Sequence, residues 1–287
     1  MLPRSRAVRS LAVAAATASV LAAVAHPHDT TREVARATST PSHVVVVMEE
    51  NHSYSDIIGN SSAPYLNSLA AQGASMTASF GVTHPSEPNY MALFGGDTFG
   101  LTADTCPVSE GATANLGSEL LAAGDTFKGY SEGLPSTGST VCTSGSYARK
   151  HSPWINFSNV PKADSVPFSS FPTDYSTLPT VSFVIPDLDD DMHDGTVAQG
   201  DTWLNDNLSS YATWAKSHNS LLIVTWDEDD YSESNQIPTL IAGANINPGQ
   251  YSETIDHYNV LATLEQLYGL SPVGNSADAS PITDIWN

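Results

Sequence analysis

The octapeptide THPSEPNY, residues 83–90, decides how the chain is organised. The apolar run 76–82 before it predicts a strand, and Pro88, a residue suited to the first turn of a helix, opens the apolar segment 89–94. Ser86 is therefore expected where a strand passes into a helix. Free backbone N–H groups and the positive end of the helix dipole collect there, which suits a hydroxyl that attacks an anion. The alternative is an ordinary helix cap.

Strands and helices alternate along the regular parts of the sequence. Continuous apolar runs at 44–48, 180–185 and 221–226 are typical of strands buried in a parallel sheet, and 239–242 is a shorter candidate. Apolar residues at helical spacing predict helices over the segments 64–72, 200–216 and 258–268. We expect an α/β fold, a single domain in which helices cover both faces of a mostly parallel central sheet.

The first residues have the features of a signal peptide over 1–25. Arg4, Arg6 and Arg9 precede the apolar segment 11–24, which is shorter than the ~20 residues of a membrane span. We expect a secreted, extracellular monomer without stable membrane association. A flexible N-terminal segment is expected over 26–42, followed by one domain over 43–287.

The formal net charge is -21, with 31 acidic residues against 10 basic ones. Such a surface repels nucleic acid and anionic lipid at long range, so we expect no nucleic-acid partner. A phosphorylated substrate would have to be captured locally. After the leader, basic residues adjoin only in Arg149-Lys150-His151.

Two cysteines, Cys106 and Cys142, most simply form one disulfide in an exported chain. A metal-binding pair is disfavoured because there is no CxxC spacing. The bridge would restrain the Gly/Ser/Pro-rich segment 97–178, where only 116–123 is helix-like and 126–131 is strand-like. We expect this segment to form a loop-rich cap within the domain.

Three of the predicted strands end in acidic residues. These are Glu49-Glu50-Asn51, Asp187 with Asp189, Asp190, Asp191 and His193, and Asp227-Glu228-Asp229-Asp230. The carboxyl ends of parallel strands are where open α/β sheets bind ligands, so the three clusters should meet Ser86 at one edge. Crowded carboxylates repel one another, and a divalent cation would hold them together. One acidic loop alone would be solvated surface, and His193 or His257 alone would be a structural histidine.

The ordered set of motifs resembles a known family. It comprises Glu50-Asn51, Ser86-Glu87-Pro88-Asn89, Asp191-Met192-His193-Asp194, Asp227-Glu228 and Asp256-His257. It is similar to the phosphoesterase family of bacterial acid phosphatases and phospholipases C, in the alkaline phosphatase-like superfamily. The resemblance covers most of the chain after the leader. It implies an alkaline phosphatase-like fold and metal-assisted hydrolysis of phosphate esters through a phosphoseryl intermediate.

The resemblance also implies roles for single residues. Ser86 matches the nucleophile, and His193 and His257 match positions that face the phosphate or a second metal. His151 lies in a segment similar to one that lines the substrate pocket, so phosphate contact or protonation of the leaving group is its expected role. The expected metal ligands are Glu50, Asn51, Asp191, Asp227 and Glu228. The expected substrate contacts are His84, Asn89 and Lys150.

Two departures from the two-metal members of the superfamily bear on the metal. Glu50-Asn51 stands where those members have a lone Asp, and Asp227-Glu228 stands where they have an Asp-His pair. Oxygen-rich ligands favour Ca²⁺, Mg²⁺ or Mn²⁺ over Zn²⁺. The resemblance does not decide whether the site holds one metal ion or two.

The function expected from these features is a secreted acid phosphatase that hydrolyses phosphate monoesters. A phospholipase C-like phosphodiesterase is the alternative within enzymes. A secreted calcium-binding structural module is the alternative of another class, in which Ser86 would be only a helix cap. A hydroxyl beside Pro88-Asn89 favours the enzyme, because a structural cation site has no need of it.

Overall fold

The structure is a computed structural model that describes residues 40–287. The predicted signal peptide and most of the predicted N-terminal segment lie outside these residues. The strands are β1 (His43–Glu49), β2 (Ala74–Phe80), β3 (Phe127–Ser131), β4 (Thr143–Ser144), β5 (Tyr147–Ala148), β6 (Ser165–Pro167), β7 (Val181–Ile185), β8 (Ser220–Trp226), β9 (Gln236–Gly243) and β10 (Gly249–Asp256). The α-helices are α1 (Tyr54–Ile57), α2 (Pro64–Gln72), α3 (Ser86–Gly95), α4 (Leu116–Ala123), α5 (Val197–Ala215) and α6 (His257–Tyr268).

One eight-stranded sheet runs through the domain in the order β10-β2-β9-β8-β1-β7-β3-β6. All neighbouring strands are parallel except β9, which runs antiparallel to both β2 and β8. The remaining strands, β4 and β5, form a separate antiparallel pair. The carboxyl ends of β1, β2, β3, β7, β8 and β10 therefore lie at the same edge of the sheet.

Helices cover both faces of the sheet, because the central strands are apolar on both sides. Val44 and Val46 of β1 belong to one buried cluster with side chains of α3, α4 and α6. Val45 and Val47 belong to a second cluster with side chains of α1, α2 and α5. Successive residues of a strand point to opposite faces, so a continuous run of valines supplies two cores at once. The predicted α/β fold is confirmed.

Several elements differ from their predicted bounds. Helix α3 begins at Ser86, two residues before Pro88, because a proline in the first turn removes only an N–H that has no partner within the helix. Strand β2 spans Ala74–Phe80 and not 76–82. Strand β10 was not predicted, since it alternates partly buried and exposed residues and has no apolar run.

The segment 97–178 is built into the sheet and is not only a cap. It contributes β3 and β6 to one edge, and β3 packs against Trp154 through Gly129, where a side chain would clash with the indole ring. The buried Trp154 follows the short 3-10 helix Arg149–His151 and anchors it. This packing carries Lys150 and His151 towards the carboxyl edge of the sheet.

None of the helices between residues 40 and 287 has both the length and the apolar character needed to cross a bilayer.

The predicted disulfide is present between Cys106 and Cys142, which are 36 residues apart in the sequence. A bridge over a loop of this length removes conformational freedom from the unfolded chain.

We expect the double variant C106S/C142S to lose about 2–4 kcal/mol of unfolding free energy, measured by urea denaturation. Reduction of the wild type should reproduce the loss and should leave the double variant unchanged. Equal stability of oxidised wild type and double variant would contradict this expectation.

Candidate active site

The ends of three strands meet the start of α3. Strand β1 lies between β7 and β8, and Glu49 is in register with Trp226. The residues that follow these strands include Glu50 and Asp227, both without solvent exposure. Asp191 is equally buried, and its backbone carbonyl accepts a hydrogen bond from the Glu50 N–H at 2.9 Å. The structure thus brings residues of each predicted acidic cluster, among them Glu50, Asp191 and Asp227, to one edge, whereas Asp187 and Asp190 lie close to Glu132 instead.

Ser86 is the first residue of α3 and is 2% exposed. Its hydroxyl can donate to Glu50 Oε2 at 2.9 Å or to Glu228 Oε1 at 3.3 Å. The single hydroxyl proton therefore has two carboxylate acceptors. The helix N-terminus places positive backbone dipoles next to the same hydroxyl.

Asn89 shapes the turn that presents Ser86. Its side-chain oxygen accepts hydrogen bonds from the Val82 and Thr83 N–H groups, both at 3.0 Å. Its amide nitrogen donates to the carbonyls of Thr83 at 2.8 Å and Pro85 at 3.2 Å. Asn89 is fully buried. The sequence predicted Asn89 as a substrate contact, but its side-chain amide is hydrogen-bonded to backbone groups of the turn.

Glu50 contacts three other side chains of the site. Besides Ser86, it accepts a hydrogen bond from the Tyr90 hydroxyl at 2.6 Å, and its Oε1 lies 3.0 Å from His151 Nε2. His151 Nδ1 lies 3.2 Å from Asp191 Oδ2, and the Tyr90 ring stacks on the imidazole with centroids 4.8 Å apart. Sequence reasoning missed Tyr90, although its position four residues after Ser86 places it on the same helix face.

The charges of Glu50, His151 and Asp191 determine one another's protonation states. Burial by itself would raise the pKa of Glu50, but His151, Lys150 and the Tyr90 hydroxyl together lower it to about 2. Burial would lower the pKa of His151, but the charges of Glu50 and Asp191 raise it to about 9. Burial raises the pKa of Asp191 to about 6 against the opposing effect of His151. His151 is accordingly an imidazolium held between two carboxyl groups.

A second carboxyl pair lies on the other side of Ser86. Asp227 Oδ1 accepts a hydrogen bond from the backbone N–H of Asn51 at 3.0 Å. Asn51 has a φ of 53°, a left-handed conformation that asparagine tolerates. Burial and the negative charge of Glu50 raise the pKa of Glu228 to about 8 and hold that of Asp227 well above its usual value.

His84 contacts the carboxyl groups directly. Its Nδ1 lies 2.6 Å from Glu228 Oε2, and its Nε2 lies 3.2 Å from Asp229 Oδ1. The ring of Tyr231 stacks on His84 with centroids 3.9 Å apart and is 75% exposed. Asp229 belongs to an acidic cluster that was expected at this edge, but its contact with His84 was not predicted, and neither was Tyr231, because both contacts depend on how the loop after β8 folds back.

Lys150 and His193 form the partly exposed edge of the site. Lys150 Nζ donates to Asp104 Oδ2 at 2.7 Å and lies 3.4 Å from His193 Nε2. His193 Nδ1 is 2.7 Å from Asp194 Oδ1, and the His193 backbone N–H donates to Asp191 Oδ1 at 2.9 Å. The two predicted residues are thus neighbours. Asp104, which fixes the lysine, carried no signal in the sequence.

His257 occupies a different position from the other histidines. It begins α6, is 1% exposed, and its Nε2 lies 2.9 Å from the backbone carbonyl of Trp226, the residue before Asp227. Burial lowers the pKa of His257, so the ring is neutral and donates to that carbonyl. The structure places it behind the acidic pair, where it holds the end of β8.

The donor set fits a hard divalent cation. Glu50 and Asp191 each offer a buried carboxylate oxygen, and these two atoms lie within 4.8 Å of one another and of a ring nitrogen of His151. Asp227 Oδ2 is buried and has no hydrogen-bond partner. A buried carboxylate oxygen without a partner is costly unless it is protonated or bound to a cation.

Comparison with known proteins identifies the family. The sequence model of the Phosphoesterase family matches residues 60–271. The chain is 61% identical to a phosphatidylinositol-3-phosphatase of Mycobacterium tuberculosis, over 99% of this chain and 96% of that protein. It is 32% identical to an acid phosphatase of Aspergillus fumigatus, over 82% of this chain and 57% of that protein.

Among solved structures, a protein of the alkaline phosphatase superfamily from Vibrio parahaemolyticus is similar to this chain with a TM-score of 0.58 and 12% identity. The match covers 85% of this chain and 71% of that one. At this identity the likeness shows the fold alone. With the family match and the relatives, it follows that the chain belongs to the Phosphoesterase family and is a hydrolase of phosphoric ester bonds.

Proposed function

We propose that this protein is a metal-dependent phosphatase that hydrolyses phosphate monoesters through a phosphoseryl intermediate on Ser86. The observation that carries the proposal is the buried Ser86 hydroxyl, placed at a helix N-terminus between the carboxyl groups of Glu50 and Glu228. A structural cation site has no use for such a hydroxyl. The phosphatases among its relatives support the same chemistry.

In the first half-reaction, Ser86 Oγ attacks phosphorus and its proton passes to one of the two carboxylates that accept it. The bond between phosphorus and the alcohol oxygen breaks, and the alcohol leaves with a proton from a histidine. His193 suits this role because it is partly exposed and lies next to Lys150. In the second half-reaction, the histidine takes a proton from the water that attacks phosphorus, the bond between phosphorus and Ser86 Oγ breaks, and the carboxyl group returns its proton to Ser86.

His151 and Lys150 position the reacting groups and the substrate. His151 has both ring nitrogens at carboxylate oxygens, so it holds Glu50 and Asp191 in position. Lys150 brings a positive charge to the open side of the site, where a phosphate group would enter.

Glu50, Asn51, Asp191, Asp227 and Glu228 would hold the cation. When bound, a divalent cation supplies Lewis-acid polarisation of the phosphoryl oxygens and a lower pKa for the serine hydroxyl.

The first prediction concerns the nucleophile. We expect Ser86→Ala to lower kcat/KM for an aryl phosphate monoester at least about a thousandfold, because no other group replaces the attacking oxygen. Ser75→Ala is the matched control, since Ser75 is a buried serine of β2 whose hydroxyl faces Tyr54. The control should keep near wild-type activity. Acid-quenched wild type should carry a phosphoryl group on the Ser86 peptide, detected by mass spectrometry. Full activity of Ser86→Ala would refute the mechanism.

The second prediction concerns the metal. A chelator should abolish hydrolysis, and Ca²⁺, Mg²⁺ or Mn²⁺ should restore it better than Zn²⁺ because the ligands are mainly oxygens. Asp227→Asn should weaken the metal-induced rise in melting temperature, which is independent of turnover. Asp206→Asn, an exposed change on α5, should leave that rise unchanged. Activity that survives complete removal of metal would exclude the proposed dependence.

The third prediction concerns the substrate. The relative at 61% identity is named for the 3-phosphate of phosphatidylinositol, and we propose the same substrate for this chain. Water-soluble short-chain phosphatidylinositol 3-phosphate should be hydrolysed at least about tenfold faster than its 4-phosphate and 5-phosphate isomers. Release of inorganic phosphate measures the rates. Equal rates for the three isomers would argue against this substrate, and faster cleavage of an aryl phosphate diester would favour the phospholipase C-like alternative.

A further inference from the structure

Tyr231 is an exposed aromatic residue next to the active site. Among the large apolar side chains of residues 40–287, only Val141 and Tyr231 are exposed, and Tyr231 is the more exposed of the two, at 75%. A ring that stays in solvent adds little to the stability of the fold. Single exposed apolar residues are nevertheless common, so the exposure alone does not identify a site. The contacts of Tyr231 distinguish it.

Three successive contacts connect Tyr231 to the nucleophile. Ser86 Oγ lies 3.3 Å from Glu228 Oε1, and Glu228 Oε2 lies 2.6 Å from His84 Nδ1. The Tyr231 ring stacks on the His84 imidazole, with centroids 3.9 Å apart and planes inclined by 17°. His84 covers one face of the tyrosine ring, and the high exposure of the side chain leaves the other face open to solvent. An open aromatic face therefore lies close to the attacking oxygen.

One buried carboxylate holds both rings in place. Asp229 Oδ1 accepts a hydrogen bond from the Tyr231 backbone N–H at 2.8 Å and lies 3.2 Å from His84 Nε2. Asp229 Oδ2 accepts from the backbone N–H groups of Glu233 at 2.8 Å and Asn235 at 2.9 Å. Tyr231 has a φ of 68°, in the left-handed region that bulky residues rarely adopt. The loop is thus held in a conformation unfavourable for tyrosine, which is typical of residues that serve a functional site.

The same loop is bound to the turn that carries the nucleophile. Asn235 Nδ2 donates to the Thr83 carbonyl at 3.1 Å, and the Gly81 N–H donates to the Asn235 carbonyl at 2.8 Å. A Cβ on Gly81 would lie 2.6 Å from Asn235 Nδ2, so this close approach requires glycine. The segments that carry Tyr231 and Ser86 are therefore hydrogen-bonded to each other. This keeps the open ring face at a constant position relative to the nucleophile.

We propose that Tyr231 is a specificity-determining residue, which stacks on the leaving group and favours phosphate esters whose alcohol carries a six-membered ring. The inference rests on the proposed function, in which the leaving oxygen lies in line with Ser86 Oγ and on the far side of phosphorus. The leaving group then extends towards solvent, where the open face of Tyr231 can cover it. An aromatic face attracts rings and C–H groups and does not attract anions. The inositol ring of phosphatidylinositol 3-phosphate belongs to this class.

Substrate selectivity tests the proposal, with Tyr231→Phe as the matched control that keeps the ring. In Tyr231→Ala we expect KM for phenyl phosphate and for short-chain phosphatidylinositol 3-phosphate to rise about three- to tenfold, the usual effect of one aromatic contact. The kcat values should change little, because stacking on the leaving group is binding that the ground state and the transition state share. KM for glycerol 3-phosphate, whose alcohol is acyclic, should not change, and Tyr231→Phe should resemble the wild type throughout.

The outcomes separate this inference from the proposed function. An equal loss on all three substrates would mean that Tyr231 only supports His84, and unchanged kinetics of Tyr231→Ala would mean that the ring contacts no substrate. Either result would overturn the inference and leave the phosphatase proposal intact. A wild-type protein that hydrolyses none of the three substrates would overturn both.

Inhibitor binding measures the stacking contact without turnover. Phenylphosphonate and methylphosphonate share the phosphoryl group, but only the first has a ring. We expect the metal-loaded wild type to bind phenylphosphonate about three- to tenfold more tightly, as measured by isothermal titration calorimetry. Tyr231→Phe should keep this ratio, and it should fall towards one both in Tyr231→Ala and in Tyr231→Leu, a variant that still covers His84. A ratio that stays at the wild-type value in both of these variants would contradict the stacking role.

Discussion

The carboxylate of Glu50 is the interaction on which the rest of the active site depends. It is buried at the end of β1, and Ser86, Tyr90 and His151 all direct a polar hydrogen or a positive charge at it. These three partners come from two elements that the fold places independently of each other and of β1. The serine and tyrosine come from α3, and the histidine comes from a 3-10 helix anchored by Trp154. A single buried negative charge therefore requires three separate parts of the chain to be correctly packed.

The concentration of acidic groups follows from the direction of the strands. Because β1, β7 and β8 are parallel, the residues after them leave the sheet at one edge and cannot move apart. Burial and mutual repulsion then raise the pKa values of Asp227 and Glu228, while His151 and Lys150 offset part of the charge near Glu50. Such an arrangement is stable when positive charge enters with the ligand. The fold thus gathers carboxyl groups that could hold a metal ion at the same edge as Ser86.

The sequence predicted the fold from its continuous apolar runs, and those runs specified the central strands closely. It could not predict β10, whose alternating pattern also fits an exposed loop, or the antiparallel direction of β9, since a run of apolar residues carries no direction. The pairing of Ser86 with Glu50 was accessible because both residues lie next to clear boundaries of secondary structure. Tyr90, Asp104 and Tyr231 could not be recognised in this way, because their roles arise from contacts between segments that are distant in sequence.

Glu49 and Glu50 are consecutive residues whose side chains lie on opposite faces of the sheet. Their separation depends on the register of β1, which the pairing of seven residues with β8 fixes. Loss of one residue within this strand would shift the following residues by one position, placing Asn51 where Glu50 stands and moving Glu50 to the position of Glu49 on the face that α5 covers. The length of β1 is thus as strictly constrained as the identity of any side chain in the site. Homologous sequences should accordingly align through this strand without gaps, whereas loops far from it are free to vary in length.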